Sequence, residues 1–121
     1  MLTGDGSLDE RRVRAAGNQS VFREVNERIV EISERWSAPP QFVCECESAQ
    51  CAQTIMLTRT EYETVRGDPG CFLVAHGHDI PEVEEIVSST ERFVVVRKLG
   101  AGRDVAVRFD PRRKRGVEPV L

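Results

Sequence analysis

Cys44 and Cys46 flank a single residue, and Cys51 follows after Glu47-Ser48-Ala49-Gln50. On an extended chain residues i and i+2 point to the same side, so the first two sulfurs face one point in space. The four intervening residues are enough chain to turn back and present a third thiolate. Glu45, Glu47 and Gln50 make this segment too polar for three ordinary core cysteines. The C-x-C-x4-C spacing therefore predicts a loop clipped around one ion. A structural zinc site wants four Cys or His ligands in a tetrahedron, with no position left for water. The chain has four cysteines and two histidines, so the fourth ligand is to be sought among Cys71, His76 and His78. Cys71 opens an apolar run and reads equally well as a buried hydrophobe. His76 and His78 stand two apart in His76-Gly77-His78, and spacing alone does not choose between them.

Other chemistries fit this cluster less well. An iron–sulfur centre would need all four cysteines, Cys71 included. A redox dithiol between Cys44 and Cys46 would close a small strained ring, where the usual spacing is C-x-x-C. Catalytic zinc keeps an open coordination position beside a carboxylate base. Glu45 and Glu47 are near, yet neither stands in an H-x-E motif with a downstream P-C-x-x-C. Gly100-Ala101-Gly102 lacks the third glycine of a nucleotide-binding fingerprint. No catalytic residue is predicted, and the chain reads as non-enzymatic.

Around the cluster the patterning predicts a small zinc-stapled α+β domain. Residues 19–36 place Phe22, Val25, Ile29, Ile32 and Trp36 at spacings of 3, 4, 3 and 4, one stripe of an amphipathic helix. Pro39-Pro40 forbids its continuation. The stripe should pack on its own domain or meet another chain, the second giving a protein partner or a homodimer through helix 19–36. Gln41–Cys46 and Thr54–Leu57 are short β-forming runs. Thr58-Arg59-Thr60-Glu61 is a capping box opening a helix that buries Tyr62 and Val65, and Gly67-Asp68-Pro69-Gly70 ends it. Cys71–Ala75 reads as a buried strand. Asp79 and Pro81 then suit the start of a second short helix, with Glu82, Glu84 and Glu85 at its positive end and Val83, Ile86 and Val87 on its apolar face. Phe93–Val96 is the strongest strand signal. Val105, Val107 and Phe109 alternate like a strand and favour a hairpin of 104–109 with 93–98, while Val105 and Phe109 also suit one helical face.

These elements bound a single domain over 19–110. Met1–Asn18 has little apolar periodicity and is expected to be a mobile tail. Residues 111–121 are expected to be a basic tail. No run approaches the ~18–20 apolar residues needed to span a bilayer. Four cysteines without an export signal point to a reducing, cytoplasmic setting. The net charge of −3 is unevenly spread: residues 41–96 hold three Lys or Arg against ten Asp or Glu, and residues 97–121 hold eight against three. The metal domain is thus acidic and ill suited to lie on nucleic acid. Only Arg112, Arg113, Lys114 and Arg115 offer a basic cluster, and no aromatic residue interleaves it for base stacking.

The string F-V-C-E-C, Cys51, I-M-L-T-R-T-E-Y-E-T-V-R, F-L-V-A-H-G-H-D-I-P-E-V-E and F-V-V-V resembles a family of small actinobacterial zinc-binding proteins. The similarity runs from about Asn18 to Lys98. It implies that His78 is the fourth ligand beside Cys44, Cys46 and Cys51, because His76 stands where that family carries Pro. It implies that Cys71 is peculiar to this chain. After Gly100, where that family tends to be helical, this sequence departs from it, which counts against the hairpin. The family supplies a site and no activity. The function expected is an interaction or regulatory module with a structural Cys3His zinc. The alternative is a factor associated with nucleic acid or the transcription or translation machinery through its basic C-terminal tail.

Overall fold

The computed structural model describes the backbone of residues 4–116 and the side chains of residues 8–113. The class is α+β: a long N-terminal helix, two small antiparallel sheets and short helices. Helix α1 spans Gly4–Ile32 and tightens into a 3-10 turn at Ser33–Arg35. Strands β1 (Gln41–Val43) and β2 (Thr54–Met56) form one antiparallel pair, with Phe42 opposite Ile55. Helix α2 (Arg59–Val65) follows. Strands β3 (Cys71–Val74), β4 (Glu84–Ser89) and β5 (Val94–Lys98) make a second antiparallel sheet in the order β3-β5-β4. Helices α3 (Ala101–Arg108) and α4 (Pro111–Gly116) end the described part.

Local chemistry explains the elements that the patterning predicts. Thr58 Oγ1 accepts from Glu61 N at 3.0 Å while Glu61 Oε1 accepts from Thr58 N at 2.9 Å, so both halves of the capping box close. Val94–Val96 on the central strand and Phe72–Val74 beside it are buried, as a strand covered on both faces requires. The core gathers Phe42, Leu57, Tyr62, Phe72, Leu73, Val74 and Val96, with the Phe42 and Tyr62 rings stacked 4.5 Å apart.

Four expectations are overturned. The segment before residue 19 is helical from Gly4, and Arg12 Nε donates to the Glu82 carbonyl at 3.0 Å. Its Ala15 and Ala16 are buried. A Cβ on Gly102 would come within 2.9 Å of the Arg12 carbonyl, so this glycine lets α3 approach α1 closely. The face of α1 that faces inward is Ala15, Ala16, Gln19, Ser20, Arg23, Asn26 and Glu27, all buried. It keeps helical spacing but is mostly polar, so hydrophobic periodicity could not reveal it. The apolar stripe sits off that face: Phe22 and Ile29 are half-buried, whereas Val25, Ile32 and Trp36 are exposed.

The third correction concerns the acidic segment. A single turn forms at Pro81–Val83, where Val83 N and Glu84 N both donate to the Ile80 carbonyl, and then the chain enters β4. The central strand offers it a free edge, and the ladder with β5 is worth more than an isolated turn. Its pattern is inverted, with Glu84 buried against Lys98 at 2.9 Å while Ile86 and Val87 face outward. The fourth is the 104–109 hairpin, which is helix α3. Val105 and Ala106 are buried while Phe109, just past the helix end, is exposed, so neither strand alternation nor a shared Val105–Phe109 face describes the segment. The basic segment opens as α4, where Arg112 reaches both Glu27 (3.0 Å) and Glu63 (2.7 Å). The rest of the predicted tail, 117–121, and the first three residues lie outside the described part.

Candidate metal centre

Cys44 and Cys46 follow directly on β1, and the chain between them stays extended against β3. Cys44 N donates to the Gln53 carbonyl at 3.0 Å, and Glu45 N donates to the Leu73 carbonyl at 2.7 Å. Alternation then sends the two cysteines to one side and Glu45 to the other. The turn back that brings in Cys51 is closed by Cys51 N donating to the Ser48 carbonyl at 3.2 Å. His78 arrives from the far end of β3. Its N–H donates to the Ala75 carbonyl at 3.0 Å, closing a turn with Gly77 at φ 83° in the third position. A type II turn needs a positive φ there, which glycine supplies without strain. This reversal separates the two histidines. His76 is exposed with Nε2 at 2.7 Å from the Thr90 carbonyl, while His78 folds back onto the cysteines.

The sulfurs of Cys44, Cys46 and Cys51 and a ring nitrogen of His78 all lie within 4.8 Å of one another. His78 Nδ1 is 3.5 Å from Cys44 Sγ and 3.6 Å from Cys51 Sγ. A tetrahedron with zinc–sulfur bonds of ~2.3 Å and a zinc–nitrogen bond of ~2.0–2.1 Å has S···N edges of about 3.6 Å. The two His78–cysteine distances match such an edge, and the group is compact enough to hold a metal ion. All four cysteines are free thiols. Cys71 is not in the group: it heads β3 and lines a separate cleft with Val65, Val87, Phe93 and Val95. An iron–sulfur centre using it is therefore not assembled.

The electrostatics favour a cation here. Burial pushes the Cys44 thiol up to about 12, partly offset by the Ala75 N–H donated to its sulfur at 3.2 Å. Burial likewise raises Cys46. Converging thiolates repel one another in such a place, and a divalent ion reverses that balance by making deprotonation favourable. The Cys3His set can thus hold a metal ion, and with every corner filled by a protein ligand it leaves no position for a reacting water.

Glu45 is the residue whose role the sequence did not announce. It is fully buried. Its Oε1 accepts from Leu73 N at 2.8 Å, and its Oε2 accepts from Asn26 Nδ2 at 2.7 Å and from the Tyr62 hydroxyl at 2.6 Å. Asn26 in turn is fixed by Val43, accepting its N–H and donating to its carbonyl, both at 2.8 Å. The residue between two metal-facing cysteines therefore ties α1, α2 and β3 together. The only available hint was its position, since i+1 of an alternating pair must face inward.

No protein-family profile, curated protein or solved structure matches the chain. Among the described residues no helix is long and apolar enough to cross a membrane.

Proposed function

We propose that this protein is a non-enzymatic interaction module, stapled by a structural Zn²⁺ on Cys44, Cys46, Cys51 and His78 and docking through the outer face of α1. The observation that carries the reading is a stripe on the outer face of α1, where Val21, Val25 and Ile32 stand exposed among charged residues, with Trp36 exposed just past the 3-10 turn. A helix that turns apolar residues outward along one line marks a contact surface. Zinc is favoured over other ions because three thiolates and one imidazole suit it, and because its tetrahedral edges match the ligand spacing. The similarity to small actinobacterial zinc-binding proteins points the same way.

Association with nucleic acid through Arg112, Arg113, Lys114 and Arg115 is the weaker reading. Arg112 is already engaged by Glu27 and Glu63, which leaves a smaller cluster to meet phosphates. Native mass spectrometry of protein purified without added metal tests the staple. One zinc per chain is expected, and a chain mass without zinc at full folding would end the reading. The docking face is tested by thermal melting of zinc-loaded Val25→Asp/Ile32→Asp. A face that is no part of the protein's own core should leave the melting temperature almost unchanged, and a large drop would show that the stripe is internal packing.

A further inference from the structure

Three thiols gathered around one point are also three reductants within reach of one another. We infer that the metal loop is a redox switch, in which a hydroperoxide closes a Cys46–Cys51 disulfide, Zn²⁺ leaves and His78 is released from the cluster. The inference rests on the zinc site proposed above and adds a regulation to it.

Of the three cysteine pairs in the cluster, one is placed to form that bond. All the sulfurs lie within 4.8 Å of one another, so the backbone decides. Cys44 and Cys46 are i and i+2 on an extended chain, which sets their Cβ atoms about 6.5 Å apart, against the ~3.5–4.5 Å that a disulfide spans. Cys46 and Cys51 stand differently. Strands β1 and β2 pair Gln41 with Met56, Phe42 with Ile55 and Val43 with Thr54. The bond from Cys44 N to the Gln53 carbonyl carries that register one step further. Two more steps set Cys46 opposite Cys51, across the loop Glu47-Ser48-Ala49-Gln50. Residues directly opposed in an antiparallel pair have Cβ atoms about 4.5–5.5 Å apart, whereas Cys44, the diagonal neighbour of Cys51, is about 7–8 Å away. A small shift of the loop brings the opposed pair into disulfide range. Cys44 is also tethered, since its sulfur accepts the Ala75 N–H at 3.2 Å.

The same pair is the one an oxidant reaches. Cys51 is half-buried, whereas Cys44 and Cys46 are buried. Cys46 lines a cleft of about 460 Å³ that runs between Glu47 and Ala49 on one side and Gly77, His78 and Asp79 on the other. The cleft gives the His78 ring room to turn away.

With hydrogen peroxide the chemistry closes in two steps. The Cys51 thiolate attacks one peroxide oxygen, the O–O bond breaks, hydroxide leaves and Cys51 becomes a sulfenic acid. The Cys46 thiolate then attacks that sulfur, an S–S bond forms and a second hydroxide leaves. Each sulfur gives up one electron, the peroxide takes both, and two protons from solvent convert the hydroxides to water. Cys44 and His78 are then the only ligands left, and Zn²⁺ departs with its two charges. Glu45 faces away from the sulfurs and keeps Leu73, Asn26 and Tyr62, so the body of the fold outlasts the ion. The disulfide replaces the metal as the clip across the loop, while the turn at Gly77 is freed.

The test uses the zinc-loaded full chain, without substitutions, titrated with hydrogen peroxide beside a chromogenic zinc chelator. One zinc per chain should be released as the mass falls by two hydrogens. Peptide mapping should find Cys46 joined to Cys51, with Cys44 and Cys71 still open to alkylation. Dithiothreitol with added zinc should reverse both changes. A disulfide through Cys44 or Cys71, oxygen added to cysteine with no disulfide, or zinc kept through excess peroxide would each overturn the inference. Cys71→Ser, which removes no ligand, should release zinc at the wild-type rate, and a lost response there would overturn the pairing. Backbone amide exchange should quicken across residues 76–80 on oxidation and stay slow at Leu73; equal quickening at both would refute a local release. Protein that carries no zinc before peroxide is added would refute the staple and the switch together. Protein that carries zinc and keeps it would refute the switch alone and leave the zinc site standing.

Discussion

Replacing Glu45 by Gln changes one oxygen for an NH₂ in a site where every neighbour is fixed. The carboxylate faces three donors: Leu73 N on one oxygen, and Asn26 Nδ2 and the Tyr62 hydroxyl on the other. Gln has one acceptor oxygen, so whichever way it is placed its NH₂ points at a donor. Turned toward Leu73, it opposes a backbone N–H. Turned toward Asn26, it opposes an amide that cannot flip, because Val43 holds both ends of it. Tyr62 can rotate its hydroxyl and accept, so one donor is stranded rather than two. A buried unsatisfied donor costs ~1–3 kcal/mol. Burial raises the Glu45 carboxyl against the pull of these donors and of Arg23, so discharging it returns part of that cost. The net loss is about 2 kcal/mol, or roughly 6–10 °C in Tm for a chain of this size. Thermal melts of zinc-loaded protein measure it, with half-buried Glu47→Gln as the control. Zinc stoichiometry should be unchanged, since both flanking cysteines face the other way. Equal melting of wild type and Glu45→Gln, or an equal drop in the control, would refute the account of Glu45 as a buried tie.

His78→Ala should lower zinc affinity strongly by opening a corner of the site to water, whereas His76→Ala should change it little; chelator competition compares them, and a larger loss in His76→Ala reverses the assignment. Cys44→Ser should destabilise the fold far more than Cys71→Ser in thermal melts, since only the former takes a ligand from the metal. Glu27 resists charging through burial, but hydrogen bonds from Arg66 (2.7 Å) and Arg112 (3.0 Å) outweigh that and hold its carboxyl below the ordinary value. Its folded pKa being lower than its unfolded one, its contribution is present above about pH 4.3 and lost as pH falls through the folded value. The difference in Tm between wild type and Glu27→Gln should therefore shrink on acidification below that range, and a constant difference would contradict the pairing.

Features governed by short-range chemistry were legible in the sequence. The capping box of α2, the buried β5 run and the C-x-C-x4-C cluster each depend on residues a few positions apart, and each is where the spacing put it. The selection between His76 and His78 was not readable from spacing, because it turns on a reversal at Gly77 that sends neighbouring side chains in opposite directions. The failures share another cause. Periodicity methods assume that the buried face is the apolar one. In α1 the inward residues include Gln19, Arg23, Asn26 and Glu27, and in β4 the inward residue is Glu84, so the same assumption chose the wrong face of the helix and mistook a strand for a helix, while the stretch before residue 19 buries Ala15 and Ala16, too little to show a period. Only partners distant in sequence, such as Lys98 for Glu84, make those burials affordable, and a local window does not contain them.

The polar interior of α1 and the apolar stripe on its outer face are two sides of one arrangement. Arg23 donates to the Pro69 and Ala106 carbonyls, both at 2.6 Å, and lies 4.3 Å over the Phe72 ring. Lys98 joins Glu84 to Gln19, and Arg66 joins Glu27 to Asp110. Such buried networks add little net stability compared with apolar packing, but each bond is directional, and removing one partner leaves a stranded charge. They therefore fix the rotation of α1 about its own axis more sharply than a greasy face would, since an apolar stripe tolerates sliding and turning. Asn26 belongs to this set and bonds Glu45, which is flanked by the two metal-facing cysteines. The metal loop and the helix are thus oriented by a shared residue pair. A helix locked in rotation by its polar side presents Val21, Val25 and Ile32 in one defined direction, which is what a docking surface built on so few residues requires.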